Sequence, residues 1–491
     1  MHRPLISEYG FRYGSVAGLI AGLLLSVSVT AQQSAEVAVK QLKVADGMEV
    51  TLFASEPMLR NPTSIDVDAQ GRVWVLEAAN YRLFKNPVAD EKGDRIRVLE
   101  DTDGDGKCDK ATTFYQDPSL QAPLGIAVLG DRVYVCQSPE LFYLEDTDDD
   151  GKADKKTVIL TGFKGVDHDH AIHGVQFGPD GFLYMSNGDQ GLEVTDGSGH
   201  FTHTGPQSPN YIAGTVLRCD LEGQHLEVLA SNLRNPYEPT VDSFGNVYIS
   251  DNDDDGNEQT RIDYIFEGGS YGYRMPDTVS RRKGNRRLDA VHWNEDQPGT
   301  IPKMIKTGFG SPTGLMAYEG TLLPDLRGQL IHCDAGPGEV RAFNPAADGA
   351  GKFAEMEVLL SCPEDPWFRP VDACAAPDGS VFIADWYDAG VGGHNMADAQ
   401  QGRIYRLTKK NEGGSYVSPS LELDTPKGLE EAFTSANQAR RYLAYEAIGA
   451  MTTDSATLPL LKLFDCDDAV ARVRAFWLLA QDPAKQHAIV K

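Results

Sequence analysis

The sequence predicts an all-β fold built from six similar sheets, and three observations support this prediction. A turn that contains glycine, followed by a short alternating strand, occurs six times along the chain. The copies are about 50 to 80 residues apart, which leaves room for about four strands and variable loops in each unit. Each copy ends in polar residues. Such sheets bury both faces only against one another, so the expected architecture is a closed ring, a six-bladed β-propeller.

The repeats share a strand rich in Val, Ile, Tyr or Phe. They are DAQGRVWVLE (68–77), LGDRVYVCQ (129–137), GPDGFLYMSNGD (178–189), DSFGNVYISDND (242–253), LRGQLIHCD (326–334) and APDGSVFIADWYD (376–388). Strand ends of this kind form the rim of a central channel in a propeller. Among the residues that close the repeats, Glu77, Asp189, Asp251 and Asp385 are therefore predicted to share one mouth.

Composition and charge restrict the class of function. Of the 491 residues 41% are hydrophobic, and the formal net charge is -27. This balance leaves no basic face to neutralise phosphates, which argues against a nucleic-acid partner. An acidic chain is instead compatible with calcium.

The N-terminal residues 1–31 have the features of a signal peptide. Arg3 and Arg12 precede an apolar run from Val16 to Val29, and small residues near Ala31 resemble a cleavage site. The sequence therefore predicts an exported protein, periplasmic or at the cell surface. An uncleaved N-terminal membrane anchor is the alternative.

The remaining chain divides by composition. We predict a propeller over 40–410, a polar linker over 411–426 and a partial helical segment over 427–491. In that last segment apolar residues recur at helical spacing within 436–450 and 456–479. Successive short helices of this kind resemble HEAT repeats.

The seven cysteines form no zinc or haem motif, since no CxxC or CxxCH occurs. Two interpretations remain open. Export permits disulfides, with Cys362 and Cys374 as the nearest plausible pair. Alternatively, the cysteines are small buried apolar residues.

The stretch 168–191 is the richest in candidate catalytic residues. His168, His170 and His173 precede a strand, and Asp189 follows it. Because the turn and strand lead back to the same rim, His170 and Asp189 can meet there as a base and the carboxylate that orients it. An ordinary loop histidine is the alternative.

Two acidic loops predict structural calcium. Both read D-x-D-x-D-G-x-x-D, so carboxylates at alternate positions around a glycine turn can converge on one cation. They are Asp101, Asp103, Asp105 and Asp109 in the first loop, and Asp146, Asp148, Asp150 and Asp154 in the second. Neither has the distal glutamate of a full EF-hand, and solvated acidic turns are the alternative.

Several motifs, in colinear order over 44–407, resemble a known family. They are FGPDGFLY (177–184), GDQG (188–191), GTVLR (214–218), LRNP (233–236) and GGSYG (268–272). Together they are similar to the soluble quinoprotein glucose and sorbosone dehydrogenases, six-bladed propellers that bind pyrroloquinoline quinone (PQQ) with calcium. The segments 94–107, 311–315 and 368–372 more closely resemble exported dehydrogenase-type proteins of planctomycetes, described as membrane-bound.

This resemblance implies roles for individual residues. His170 matches the family's proton-abstracting histidine, and Asp189 matches its carboxylate partner. Arg234 and Arg369 match the arginines that hold the quinone, and Asn235 is assigned to the same cofactor site.

The resemblance also implies a metal site and shows two departures. Asn252 and Asp253 fall where the activating calcium takes its ligands. The family's acidic D-D-E-I-N element is replaced here by 258–263. His173 stands where a small glycine is usual, so it either ligates a metal with His168 or His170 or narrows the pocket.

The implied function is oxidation of a sugar or a related alcohol or aldehyde, with His170 as base and hydride passing to PQQ. Because the chain has no haem motif, an external acceptor such as a c-type cytochrome is expected. Two alternatives remain. One is a calcium-dependent propeller lactonase or esterase that uses Glu77, Asp251, Asp385 and Asn235 as ligands. The other is a non-catalytic exported carbohydrate-binding or scaffold propeller.

Overall fold

The computed structural model describes residues 32–166, 170–252, 260–273, 295, 297–394, 396, 398–451 and 453–481. Within them the chain is dominated by antiparallel β-strands, with short helices before and after. None of the helices in this described part combines the length and the apolar character that crossing a membrane requires.

Six four-stranded antiparallel sheets form the body of the protein. Blade 1 consists of β3 (Pro62–Val67), β4 (Val73–Glu77), β5 (Arg95–Glu100) and β6 (Lys110–Gln116). Blade 2 consists of β7 (Gly125–Leu129), β8 (Arg132–Gln137), β9 (Glu140–Glu145) and β10 (Lys155–Thr161). Blade 3 consists of β11 (Ile172–Phe177), β12 (Leu183–Asn187), β15 (Gly214–Cys219) and β16 (Glu227–Leu233). Blade 4 consists of β17 (Pro236–Val241), β18 (Val247–Asp251), β19 (Thr260–Tyr264) and β21 (Ile305–Gly308). Blade 5 consists of β22 (Pro312–Tyr318), β23 (Gln329–Asp334), β24 (Glu339–Asp348) and β25 (Gly351–Ser361). Blade 6 consists of β26 (Pro370–Ala375), β27 (Val381–Asp385), β28 (Arg403–Lys409) and β2 (Met48–Ser55).

Four short strands, five α-helices and a 3-10 helix (Pro324–Leu326) complete the described chain. The strands are β1 (Lys43–Val44) on blade 5, β20 (Gly269–Ser270) on blade 3, and the hairpin β13 (Leu192–Thr195) and β14 (Phe201–Thr204) between β12 and β15. The helices are α1 (Ala35–Gln41), α2 (Pro426–Thr434), α3 (Gln438–Ala450), α4 (Thr453–Phe464) and α5 (Ala469–Gln481).

The innermost strands close into a ring. Each of β3, β7, β11, β17, β22 and β26 contacts the next, and β26 contacts β3. The N-terminal β2 pairs with β28 and becomes the outer strand of blade 6, so the last sheet joins both ends of the propeller sequence. The predicted six-bladed β-propeller is confirmed, and the six sequence repeats are the second strands of the six blades.

Acidic side chains on the innermost strands link neighbouring blades. Asp66 accepts the Val128 N–H at 2.7 Å, and Asp372 accepts the Ile65 N–H at 2.7 Å. Burial raises the pKa of Asp66 to about 7. These carboxyl groups therefore serve as connections between blades, because each satisfies a backbone N–H that the ring geometry leaves outside the ladders.

The helices α2 to α5 pack on the end of the ring opposite the mouth. Asn437 Nδ2 donates to the Val67 carbonyl at 2.6 Å and to the Ala375 carbonyl at 3.0 Å, where innermost strands end. Arg474 forms a buried ion pair with Glu319 at 2.8 Å. The helical pattern predicted over 456–479 is interrupted between α4 and α5, because the polar run 465–468 separates two apolar stretches.

The cysteines are unpaired in the described structure. All seven are free, and five of them are buried. The plausible pairing of Cys362 with Cys374 is therefore not formed: Cys362 follows β25 and packs in the apolar core, and Cys374 lies on β26, so each thiol behaves as a small apolar side chain.

His332 on β23 is fully buried, and neither ring nitrogen has a hydrogen-bond partner among the described residues. Burial, together with the charge of Arg341, lowers its pKa from 6.5 to about 3. Protons therefore bind this imidazole in the unfolded chain before they bind it in the folded one. The stability that depends on the neutral ring is present above about pH 6.5 and is lost as the pH falls toward 3.

Replacing His332 with leucine is expected to remove this acid sensitivity. Between pH 6 and 4, the free energy of unfolding of the wild type should fall relative to that of the variant by up to about 1.4 kcal/mol per pH unit. Urea titrations at several pH values measure this difference, with exposed His225→Asn as the control. Parallel pH slopes in wild type and His332→Leu would contradict the assignment.

Candidate functional site

His170 and Asp189 form a buried pair at the mouth of blade 3. His170 Nδ1 lies 2.6 Å from Asp189 Oδ1, and the two residues are 3% and 0% exposed. The Asp189 backbone N–H donates to the Arg234 carbonyl at 2.9 Å, which ties this loop to blade 4. The imidazole thus contacts a carboxylate whose backbone is bonded to the connection between blades 3 and 4.

Gly188 explains why the loop can hold this pair. Its N–H donates to the Ala171 carbonyl at 2.9 Å, and a Cβ at this position would lie 2.6 Å from His170 Cα. Any larger residue would displace the histidine backbone, since real Cβ atoms do not approach so closely. The Gly-Asp pair in the sequence is therefore a steric requirement for placing Asp189 beside His170.

The Arg234 and Asn235 segment is held by Asp251. Both backbone N–H groups donate to Asp251 Oδ1, at 3.0 and 2.9 Å. Asp251 also pairs with the fully buried Arg261, whose Nη2 lies 2.9 Å from Asp251 Oδ2. One buried carboxylate therefore positions two of the predicted cofactor residues.

Arg369 of blade 6 faces the same pocket as Asn235 and Asn252. Its backbone N–H donates to Asp385 at 2.8 Å, and its guanidinium donates to the Phe368 and Ala389 carbonyls. Burial lowers the pKa of Arg369. The structure thus brings residues of blades 4 and 6 together across the mouth of the axial channel.

His173 lies behind this pocket. Its Nδ1 is 2.9 Å from the Pro236 carbonyl, and its ring stacks on Tyr237 with centroids 4.7 Å apart. Tyr237 lines the pocket. His173 therefore supports one wall of the pocket through Tyr237, while His168, one of its two possible partners as a metal ligand, lies outside the described residues.

Glu77, Asp251 and Asp385 lie at the mouth ends of their strands, but the structure does not bring their carboxylates together as one cation site. Glu77 accepts the Arg60 N–H at 3.0 Å and pairs with Arg95 at 2.6 Å. Asp385 accepts the Arg369 and Tyr387 N–H groups. Each of these carboxylates thus already holds backbone N–H groups or arginines near its own strand end, and their role as cation ligands stays a prediction.

The two acidic loops connect the outer strands of blades 1 and 2 on the side opposite the mouth. Carboxylate oxygens of Asp101, Asp103 and Asp109, and separately those of Asp146, Asp148 and Asp150, lie within 4.8 Å of one another. Repulsion from Asp150 raises the pKa of Asp148. Asp105 and Asp154 are outside these two groups, and they accept backbone N–H groups within their own turns, as Asp101 and Asp146 also do.

The sequence relates this chain to a family without an assigned activity. A family model described as "Domain of unknown function (DUF7133)" matches residues 34–411. The chain belongs to the DUF7133 family. The match covers the whole propeller and ends at the start of the linker, so the helices α2 to α5 lie beyond it.

Part of this DUF7133 chain is similar in sequence to two curated proteins of Arabidopsis thaliana. The HIPL2 protein of Arabidopsis thaliana is 25% identical over 252 residues, which are 42% of this chain and 34% of that protein. The chain thus spans about a third of the length of the curated relatives it matches.

Two solved structures share the fold. The PQQ-bound aldose sugar dehydrogenase of Streptomyces coelicolor superposes with a TM-score of 0.52 at 16% identity, covering 74% of this chain and 99% of that one. The PQQ domain of pyranose dehydrogenase from Coprinopsis cinerea gives a TM-score of 0.51 at 14% identity, covering 75% and 98%. These similarities support the propeller fold of the DUF7133 chain.

Sequence reasoning missed the aromatic and glycine residues that shape the pocket. Tyr81, Tyr237, Trp386 and the glycines 390, 392 and 393 line it beside Arg369. A signal was present, since Trp386 directly follows the last repeat strand. Its use as a pocket wall depends on Tyr81 of blade 1, whose ring contacts Trp386 with centroids 5.5 Å apart.

Proposed function

We propose that this protein is a PQQ-type dehydrogenase that oxidises a sugar or a related alcohol or aldehyde. The observation that carries the proposal is the buried pair of His170 and Asp189 at the propeller mouth, tied through Arg234 to the segment that supplies Asn235 to the axial pocket. A carboxylate-held imidazole is the arrangement expected of a general base.

The residues of the pocket fit a flat, carboxylated cofactor. Asn235 Oδ1 and Arg369 Nε are buried without hydrogen-bond partners among the described residues, and both residues line the pocket. Such atoms are costly unless a ligand satisfies them. The Tyr237 and Trp386 side chains add aromatic walls. Arg369 would therefore face the acidic groups of PQQ, with Asn235 as a hydrogen-bonding partner.

The chain's own residues would handle the proton. Bound PQQ supplies a two-electron acceptor for hydride. His170 would take the hydroxyl proton of the substrate, and Asp189, 2.6 Å away, would hold the ring and stabilise its charged form. The buried setting of both side chains keeps water from competing for that proton.

Calcium would occupy two kinds of place. Asn252 lines the pocket, which supports a role beside an activating calcium, and Asp253 lies outside the described residues. The acidic loops of blades 1 and 2 would hold structural calcium.

Export, a periplasmic or cell-surface location and delivery of electrons to a c-type cytochrome belong to the same proposal. They rest on the features of residues 1–31, which lie outside the described part, and on the absence of a haem motif in the sequence. The closer kinship with exported planctomycete dehydrogenase-type proteins and the HEAT-like nature of α2 to α5 are proposed on the same sequence grounds.

The deciding experiment reconstitutes the purified protein with PQQ and calcium and follows a dye acceptor with a panel of aldoses. We expect dye reduction that requires both additions. Hydrolysis of lactones with calcium alone would support the lactonase instead, although the separated Glu77, Asp251 and Asp385 carboxylates disfavour it. If the protein neither reduces the dye nor hydrolyses lactones, the remaining interpretation is a non-catalytic binding propeller.

Calcium is expected to stabilise the fold through the acidic loops. At a free concentration a hundred times the dissociation constant, one site adds about 2.7 kcal/mol to the free energy of unfolding. The midpoint of thermal unfolding should therefore rise with calcium, and the rise should shrink in the double variant Asp103→Asn, Asp148→Asn. Asp131→Asn, outside both loops, serves as the control. An unchanged response in the double variant would show that the loops are solvated turns.

A further inference from the structure

A groove of about 630 Å³ lies on the side of blade 3, away from the pocket at the mouth. It is bounded by β14 and its preceding turn (200–203), the loop 208–211, the start of β16 (226–229) and the turn 267–268. This volume falls in the range of about 300–1,000 Å³ that is usual for small-molecule sites. Neither the family match nor the proposed catalytic residues account for it.

The hairpin that forms one wall is firmly attached. Asp196 in its turn accepts the Leu226 N–H at 2.9 Å, which fixes the hairpin to the start of β16. At its root Gly191 and Gly205 approach so closely that a Cβ on Gly205 would lie 2.8 Å from Gly191 Cα. In the described structure β14 pairs with β13 alone, so its other edge borders the groove.

The groove presents aromatic faces to solvent. Phe201 is 58% exposed and Tyr211 is 36% exposed, although both sit on ordered backbone. Ser208 holds the Tyr211 loop by accepting its N–H at 3.1 Å. Exposed rings held in fixed positions suit stacking against the C–H face of a pyranose ring.

Beside the apolar Pro209, Val228 and Leu229, the walls carry polar groups with no net positive charge. His200, His203 and Asn210 offer donors and acceptors, while Glu227 and Glu267 offer carboxylates. The nearby guanidinium of Arg218 is already paired with Glu227 at 2.8 Å and with Glu267 at 3.5 Å. This combination disfavours phosphorylated or acidic ligands and favours one with many neutral hydroxyl groups.

We infer that the groove between β14 and β16 is a second, non-catalytic binding site for a neutral oligosaccharide. Sugar rings stack on Phe201 and Tyr211, and their hydroxyls bond to the imidazole, amide and carboxylate groups of the walls. The inference does not rest on the proposed dehydrogenase activity, because neither His170 nor the axial pocket takes part.

The test measures binding to the full-length protein without PQQ, by calorimetry, using three neutral hexamers, maltohexaose, cellohexaose and hexa-N-acetylchitohexaose, and an acidic galacturonate hexamer. We expect at least one neutral hexamer to bind and the acidic one not to bind. Phe201→Ala and Tyr211→Ala should each weaken binding at least tenfold while the thermal midpoint is unchanged. Glu227→Gln should weaken it less, because an amide still accepts hydroxyl hydrogen bonds.

The matched control is Phe353→Ala, which removes an aromatic ring of similar exposure, 45%, from the blade 5 hairpin. It should leave affinity unchanged, and so should His170→Ala. Absence of binding by every neutral hexamer would overturn the inference, as would binding that Phe201→Ala does not weaken. Loss of affinity in His170→Ala, with none in Phe201→Ala, would place the sugar in the mouth instead and leave the proposed function standing.

Discussion

Replacing His170 with alanine is expected to lower kcat by about 10²–10⁴-fold while PQQ binding is retained. In the proposed mechanism the imidazole takes the substrate proton, and its Nδ1 lies 2.6 Å from the Asp189 carboxylate. The cofactor contacts assigned to Asn235 and Arg369 come from other blades and should persist. Dye reduction with the reconstituted protein measures turnover, and the quinone absorbance measures binding.

Two further variants distinguish a base from a structural histidine. Asp189→Asn keeps the shape of the pair but removes the charge that stabilises a protonated ring, so it should lose most of the same activity. His332→Leu removes another buried histidine, which does not line the pocket, and should keep its turnover at neutral pH. Wild-type turnover in His170→Ala would remove this residue from the mechanism.

Replacing Arg261 with methionine is expected to lower the free energy of unfolding by about 3–5 kcal/mol. Arg261 is fully buried between two fully buried carboxylates, with Nη2 2.9 Å from Asp251 and Nε 3.0 Å from Asp263. Without the guanidinium both acids lose their compensating charge. Because Asp251 also holds the Arg234 and Asn235 backbone, the variant should bind PQQ more weakly as well.

The matched control is Arg72→Met, which breaks an ion pair of similar length at the surface. Arg72 Nε lies 2.6 Å from Asp68, but its side chain is 41% exposed. Solvent screens such a pair, so the expected cost is about 0–1 kcal/mol. Urea unfolding of the three proteins measures the difference. Equal losses in the two variants would show that burial of the Arg261 cluster adds nothing to its contribution.

The number of blades and the pairing of His170 with Asp189 could both be predicted from the sequence, because both follow from local patterns. A turn and an alternating strand are local patterns, and the strand between these residues returns the chain to the rim it left. The acidic loops were also visible, since their carboxylates converge within a few residues.

Other features depend on contacts between distant parts of the chain. Residues just before the innermost strands supply partners for the carboxylates at the mouth. The N–H groups of Arg60 and Arg369, for example, donate to Glu77 and Asp385. The free cysteines follow from sheet packing.

The amino-acid sequence by itself determined the strand repeats, the ring of six blades and the candidate base, because these follow from short-range patterns of turns and alternating side chains. Only the tertiary structure decided which polar groups remain available to a ligand. Arginines and backbone N–H groups occupy the mouth carboxylates of Glu77, Asp251 and Asp385. Among the described residues, Asn235 Oδ1 and Arg369 Nε remain without hydrogen bonds beside one pocket, and the rings of Phe201 and Tyr211 are exposed in another. Such choices are made by residues far apart in the chain, which no local pattern records.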